Sequence, residues 1–159
     1  MTLEIRFAER PDVPVILRLI KALSVYEKLE DKVVATEEKV DRALFGGRPY
    51  AETIIAELDG KPVGFALFFH NFSTFLAQPG IYLEDLFVEP EQRGAGIGRA
   101  LLARLAQIAV ERECGRLEWA VLDWNKDAIG FYERLGATPN DEWTVYRLTG
   151  EALRSLAGK

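Results

Sequence analysis

The chain has 159 residues and a mass of 17.9 kDa, the size of one ordinary domain and too little for two independent cores. Apolar residues make up 48% and charged residues 28%, which excludes disordered, collagen-like and fibrous classes. Twenty Lys and Arg against 25 Asp and Glu leave a formal charge of −5, the wrong sign for gripping a phosphate backbone and the right one for a cationic small molecule.

Leu3, Ile5 and Phe7 alternate with Glu4 and Arg6, the period-two pattern of a half-buried strand. Pro11-Asp12 then signals a helix start, and Val13, Ile16, Leu17, Ile20 and Leu23 give the spacing of an amphipathic helix running to about Tyr26. Thr36 caps a shorter helix with Glu37 and Glu38 in its first turn, ended by Gly46-Gly47. Two strand-like runs, 53–58 and 63–69, flank Asp59-Gly60, a hairpin signature. Residues 71–80 read as a loop made unusually apolar by Phe72, Phe75 and Leu76. A strand over 81–88 ends at Glu89-Pro90, and a glycine segment leads into a helix with Leu101, Leu105 and Ile108 on one face and Gly115 as its stop. Leu117, Trp119 and Val121 alternate as another strand; Asn125 then caps a helix over 128–135, core-packed through Phe131 and stopped at Gly136. A final strand is expected over 143–148, before a short amphipathic tail with Leu153 and Leu156. No repeat or linker divides the chain, so a single α+β domain over 1–159 is expected.

Cys114 is the only cysteine and His70 the only histidine, so an intrachain disulfide is impossible and most zinc ligand sets are removed. Cys114 reads as packing rather than as a nucleophile, and His70 as a strand-end residue. No apolar stretch approaches the ~20 residues that span a bilayer, and no signal-like run opens the chain. A cytoplasmic protein is expected, with no metal and neither nucleic acid nor membrane as partner.

The segment Arg93-Gly94-Ala95-Gly96-Ile97-Gly98-Arg99 lies between a strand and a helix start. A helix N-terminus leaves about four amides unsatisfied and carries roughly half a positive charge, so such a loop suits phosphate or pyrophosphate, although glycine spacing alone also fits a plain connector. The dinucleotide fingerprint fails, because its third small residue falls on Arg99 or Leu101. The nucleoside triphosphate loop fails as well: Gly98-Arg99-Ala100 supplies neither the lysine nor the hydroxyl it needs.

What fits is Arg-x-x-Gly-x-Gly over 93–98, and in it the chain resembles the GNAT superfamily of acetyl-CoA-dependent N-acetyltransferases. The resemblance implies a three-layer α/β/α fold whose mixed, mostly antiparallel sheet contains two splayed parallel central strands, 81–88 and 116–121, with acetyl-CoA between them. It assigns the backbone of Leu86, Phe87 and Val88 to the pantetheine arm and the amides of Arg93, Gly94, Ala95, Gly96, Ile97, Gly98 and Arg99 to the pyrophosphate. Asn125, Lys126, Asp127 and Ala128 lie beside the CoA by the same carry-over, and the Tyr132 hydroxyl protonates the departing thiolate in a direct transfer within a ternary complex. Tyr82-Leu83-Glu84-Asp85, residues 121–125 and the tail 150–159 are similar to the diamine branch, spermidine/spermine and thialysine acetyltransferases, and the tail to the thialysine type. That branch implies a homodimer, and contacts to the acceptor from Tyr26, Glu27, Glu84, Glu118, Trp119 and Ala120, with Asp141 and Trp143 near its distal end.

Glu84 and Asp85 interrupt an apolar strand, and strict alternation turns one of them inward, where it is satisfied structurally, exposed at an edge, or used. Amine chemistry favours use. A primary amine of pKa ~10.4 is roughly one part in 10³ neutral at pH 7, so a base must take its proton before it can attack. Glu84, directly or through a water, is the expected general base. Acetylation of a peptide amine, or a CoA-binding regulatory module without chemistry, are the alternative readings.

Overall fold

Asp59 and Gly60 adopt φ of 50° and 81°, the mirror-image turn whose twist matches that of paired strands, and they join β2 (Glu52–Leu58) to β3 (Lys61–Ser73). The computed structural model describes residues 1–159 and divides them into two units, 1–120 and 121–159. In the first unit β1 (Leu3–Phe7), β2, β3, β4 (Gln78–Val88) and β5 (Leu117–Trp119) form one sheet in the order β1-β2-β3-β4-β5. Every neighbouring pair is antiparallel except β4 with β5, which are parallel. The sheet is thus mixed and mostly antiparallel, as expected.

Alternation assigns the faces. Phe65 and Phe87 pack with Leu19 and Leu23 of α1 (Val13–Tyr26), while Ile55 joins Val13, Ile16 and Leu17 and, from α2 (Glu37–Phe45), Val40 and Leu44. Ile54, Ala66, Phe68, Ile81 and Leu83 point the other way and are fully or almost fully buried. That face receives α3 (Ile97–Glu111), whose Leu101, Leu105 and Ile108 are buried in turn. Burying about a dozen large apolar side chains on the two faces, at about 1.5–3 kcal/mol each, is the main force holding this unit together.

Local chemistry fixes the helix ends. Thr36 accepts from the Lys39 amide at 3.2 Å and caps α2; a Cβ on Gly46 would lie 2.4 Å from the Arg42 carbonyl, so only glycine closes that helix. In the second unit, α4 (Lys126–Arg134) is capped by Asn125, which accepts from the Ala128 amide at 3.3 Å, and is stopped by Gly136 at φ 94°. Residues 150–156 form α5 (Gly150–Leu156).

Four expectations need correction. Residues 71–80 are a loop only over 74–77: β3 and β4 continue pairing out to Ser73 opposite Gln78, because backbone hydrogen bonds sustain the ladder although Phe72 is exposed. Glu113 at φ 58°, not Gly115, makes the left-handed turn after α3. Phe131 is half-buried rather than core. Residues 143–148 form no strand, since the second unit contains no strand for them to pair with and β-propensity needs a ladder partner. No helix is long and apolar enough to cross a membrane.

Candidate active site

The register between β3 and β4 passes from Leu67 opposite Asp85 to Phe68 opposite Leu83, so Glu84 is the extra residue of a β-bulge. Strict alternation therefore fails at the acidic pair. Asp85 lies opposite Leu67 and two residues before Phe87, on the face covered by α1, while the bulged Glu84 is exposed. Burial, together with the negative charges of Glu84 and Glu27, pushes the Asp85 carboxyl up to about 6. Glu27, half-buried just past the last turn of α1, is itself raised by burial. Three carboxylates thus share one electrostatic neighbourhood. Such a place favours an incoming cation. Asp85 is the member that sequence reasoning left without a role, because the bulge that turns it towards α1 is a property of the pairing.

The bulge also ends the parallel pairing. β4 meets β5 only through Ile81, Tyr82 and Leu83, opposite Leu117, Glu118 and Trp119. Beyond that point β4 runs on through Leu86, Phe87 and Val88 with one edge unpaired, which is the wedge that an amide-bearing chain can fill as an added strand. At the end of this edge, Gly94 and Gly96 take φ of 85° and 81°, with open space where their Cβ atoms would be. Gly96 is the N-cap of α3 and offers no side-chain cap, so the first amides of a 15-residue helix await an outside acceptor. These features fit a diphosphate attached to an extended diamide arm. Gly96→Ala is expected to lower the melting temperature by roughly 2–6 °C through backbone strain alone, since nothing obstructs the methyl group. Calorimetry without ligand tests it.

Arg93 sits where the two halves of this arrangement meet. Its Nε–H donates to the Val88 carbonyl at 3.0 Å, and its guanidinium lies 4.3 Å from the Tyr26 ring centroid and 5.5 Å from that of Phe87. Of the three backbone carbonyls expected along the pantetheine arm, that of Val88 already has this donor.

Residues 20–137 match the Acetyltransferase (GNAT) family. The chain belongs to that family. Thialysine N-epsilon-acetyltransferase of Bos taurus is 42% identical over 98% of this chain and 97% of its own. L-ornithine N5-acetyltransferase of Arabidopsis thaliana is 34% identical over 96% and 86%. Among solved structures, an integron cassette protein from the mobile metagenome of V. cholerae superposes with a TM-score of 0.84 at 30% identity, over 100% of this chain and 99% of that one. The protein is an enzyme of the N-acetyltransferase class, consistent with the thialysine and diamine branch.

Within this GNAT acetyltransferase the remaining expected site residues fare differently. Glu118 Oε1 accepts from Asn71 Nδ2 at 3.0 Å and pairs with Arg116 Nε at 3.0 Å, so two partners already hold it in the sheet. Trp119 is half-buried and Ala120 exposed. In the second unit Asn125 accepts from the Ala128 amide, which commits that amide to the cap, while Lys126 and Asp127 are exposed. Tyr132 is half-buried on α4 and stacks obliquely on Phe131, with ring centroids 5.6 Å apart. Asp141 and Trp143 are exposed on an irregular segment.

Cys114 has an unforeseen neighbour, since the fold brings His70 Nδ1 to 3.8 Å from its sulfur. The pair is not a nucleophile and base. Nδ1 also lies 3.0 Å from the Gly80 carbonyl, and Nε2 lies 2.9 Å from Arg112, which can only donate. The imidazole therefore carries its proton on Nδ1 and spends both nitrogens structurally. Arg112 in turn grips Glu52 through two hydrogen bonds, which hold the Glu52 carboxyl below its ordinary range.

Proposed function

We propose that the enzyme transfers an acetyl group from acetyl-CoA to a primary amine of a small cationic acceptor of the thialysine, lysine or diamine type, by direct attack in a ternary complex. The parting of β4 from β5 at the bulge, with the glycine loop at the end of the freed edge, is the observation that carries this reading. Bound acetyl-CoA supplies an activated acetyl thioester. The amides of residues 93–99 hold its diphosphate, and the backbone of Leu86 and Phe87 holds its arm. Glu27, Glu84 and Asp85 attract the ammonium group, and Glu84 takes its proton at a carboxylate oxygen so that the neutral amine can attack. The Tyr132 hydroxyl gives a proton to the departing sulfur. The relatives named for thialysine and ornithine support a short dicationic or zwitterionic acceptor. Thiol release from acetyl-CoA, measured over lysine, thialysine, ornithine, putrescine and spermidine, tests the reading. Turnover with at least one of them is expected, and none with any would overturn it.

We further propose that both units act as one catalytic domain, and that the enzyme is a symmetric dimer. The family match runs across the boundary between the units, from residue 20 to residue 137. The strand-prone segment 143–148 exposes Trp143, Val145 and Tyr146 by 75%, 87% and 92%, far more than isolated apolar residues of a monomer surface require. A partner's strand would satisfy both its backbone and its side chains. Light scattering should then give twice 17.9 kDa, and Val145→Lys with Tyr146→Glu should halve that mass. A wild-type monomer at micromolar concentration would refute the dimer.

A further inference from the structure

α1 ends at Tyr26 with no basic residue in its last turn. Arg93 reaches that end from the glycine loop. Its guanidinium covers the Tyr26 ring at 4.3 Å while its Nε–H is anchored on Val88, so a single side chain touches the loop base, the free edge of β4 and the end of α1. The next residue after Tyr26 is Glu27, one of the three clustered carboxylates. Two residues beyond Tyr26 the chain turns through Lys28 at φ 61°. The Glu27, Lys28 and Leu29 amides donate to the Leu23, Val25 and Ser24 carbonyls and close the helix there, and the Arg93 contact adds a tie from the glycine loop to this closed end. A second tie, from Arg18 to the buried Glu89, fastens the same helix to the base of the same loop two turns earlier.

We infer that Arg93 is a positioning residue for the amine acceptor: through Tyr26 it sets the end of α1, and with it Glu27, against Asp85 and Glu84. This rests on the proposed amine transfer. It differs from the role that the motif assigns, because the guanidinium is engaged by a ring and a carbonyl and the diphosphate is left to backbone amides. A cation–ring contact and a charge-assisted hydrogen bond together are worth about a tenfold change in the affinity that depends on them.

Steady-state kinetics on five variants test this. Arg93→Ala should raise KM for thialysine about tenfold, with kcat and the KM for acetyl-CoA each changing less than about twofold. Tyr26→Leu should do the same, Tyr26→Phe should raise the amine KM less than Tyr26→Leu because the ring remains, and Arg93→Lys should resemble Arg93→Ala because the planar stack is lost. The double variant Arg93→Ala/Tyr26→Leu should be no worse than either single one. A raised KM for acetyl-CoA with an unchanged KM for the amine, full function in Arg93→Lys, or additive single effects would each overturn the inference. If Arg93→Ala fails to fold, the two Tyr26 variants still decide. If wild type turns over no amine, the functional reading fails instead, and the contact is still read from non-additive melting temperatures in the same cycle.

Discussion

Asp85→Asn should raise the melting temperature at pH 8 and lower turnover of a cationic amine in the same protein. The folded chain holds the Asp85 proton up to about 6, against an ordinary 3.8, so between those pH values the native state binds more protons than the unfolded one. Stability from this group is therefore greatest below about pH 4, declines as pH rises through the window, and reaches its full deficit above pH 6. That deficit is about 3 kcal/mol, and asparagine, similar in shape and without charge, removes most of it. For a chain of this size the gain corresponds to roughly 4–9 °C at pH 8 and almost nothing at pH 4. Calorimetry at both values checks the sign: a gain independent of pH would show that the carboxyl is not strained. In the proposed transfer the cost falls on function, since there Asp85 is one of the negative charges that draw the ammonium group towards Glu84. An approximately tenfold loss in kcat/KM at pH 7 is expected, together with an acid limb displaced to lower pH, because the carboxylate that titrates near 6 is gone.

The same residue shows what the sequence could and could not reveal. Capping at Thr36 and Asn125, the Asp59-Gly60 turn and the left-handed glycines at 94 and 96 depend on atoms within a few residues of one another, so residue type and spacing suffice. The bulge at Glu84 depends on how thirteen residues of β3 match eleven of β4, and the acidic pair that interrupts the apolar pattern over 81–88 does not say which residue is extra. Reading the strand by strict alternation selects one inward acid, whereas the paired strands place Asp85 against α1 and leave Glu84 beside it in solvent. The approach of His70 to Cys114 and the reach of Arg93 to Tyr26 are hidden for the same reason, the partners being 44 and 67 positions apart in sequence. Residues 143–148 have a strand's composition, and what they lack is a neighbour to pair with.

Tyr132→Phe should cut turnover by roughly 10²-fold, the lower end of what a positioned general acid contributes, while leaving CoA affinity within about twofold of wild type. The substitution deletes one hydroxyl and keeps the ring that packs against Phe131, so the fold of α4 and its Asn125 cap should persist. A thiolate leaving a tetrahedral centre needs a proton most when the parent thiol is weakly acidic. Acetyl thioesters of more acidic thiols need less help, so the ratio between wild type and variant should shrink towards one as the leaving thiol becomes more acidic. A protein that merely bound CoA would show neither the loss nor this dependence. A variant that loses CoA affinity in proportion to its rate would instead make the hydroxyl a binding group, and another residue would have to protonate the sulfur.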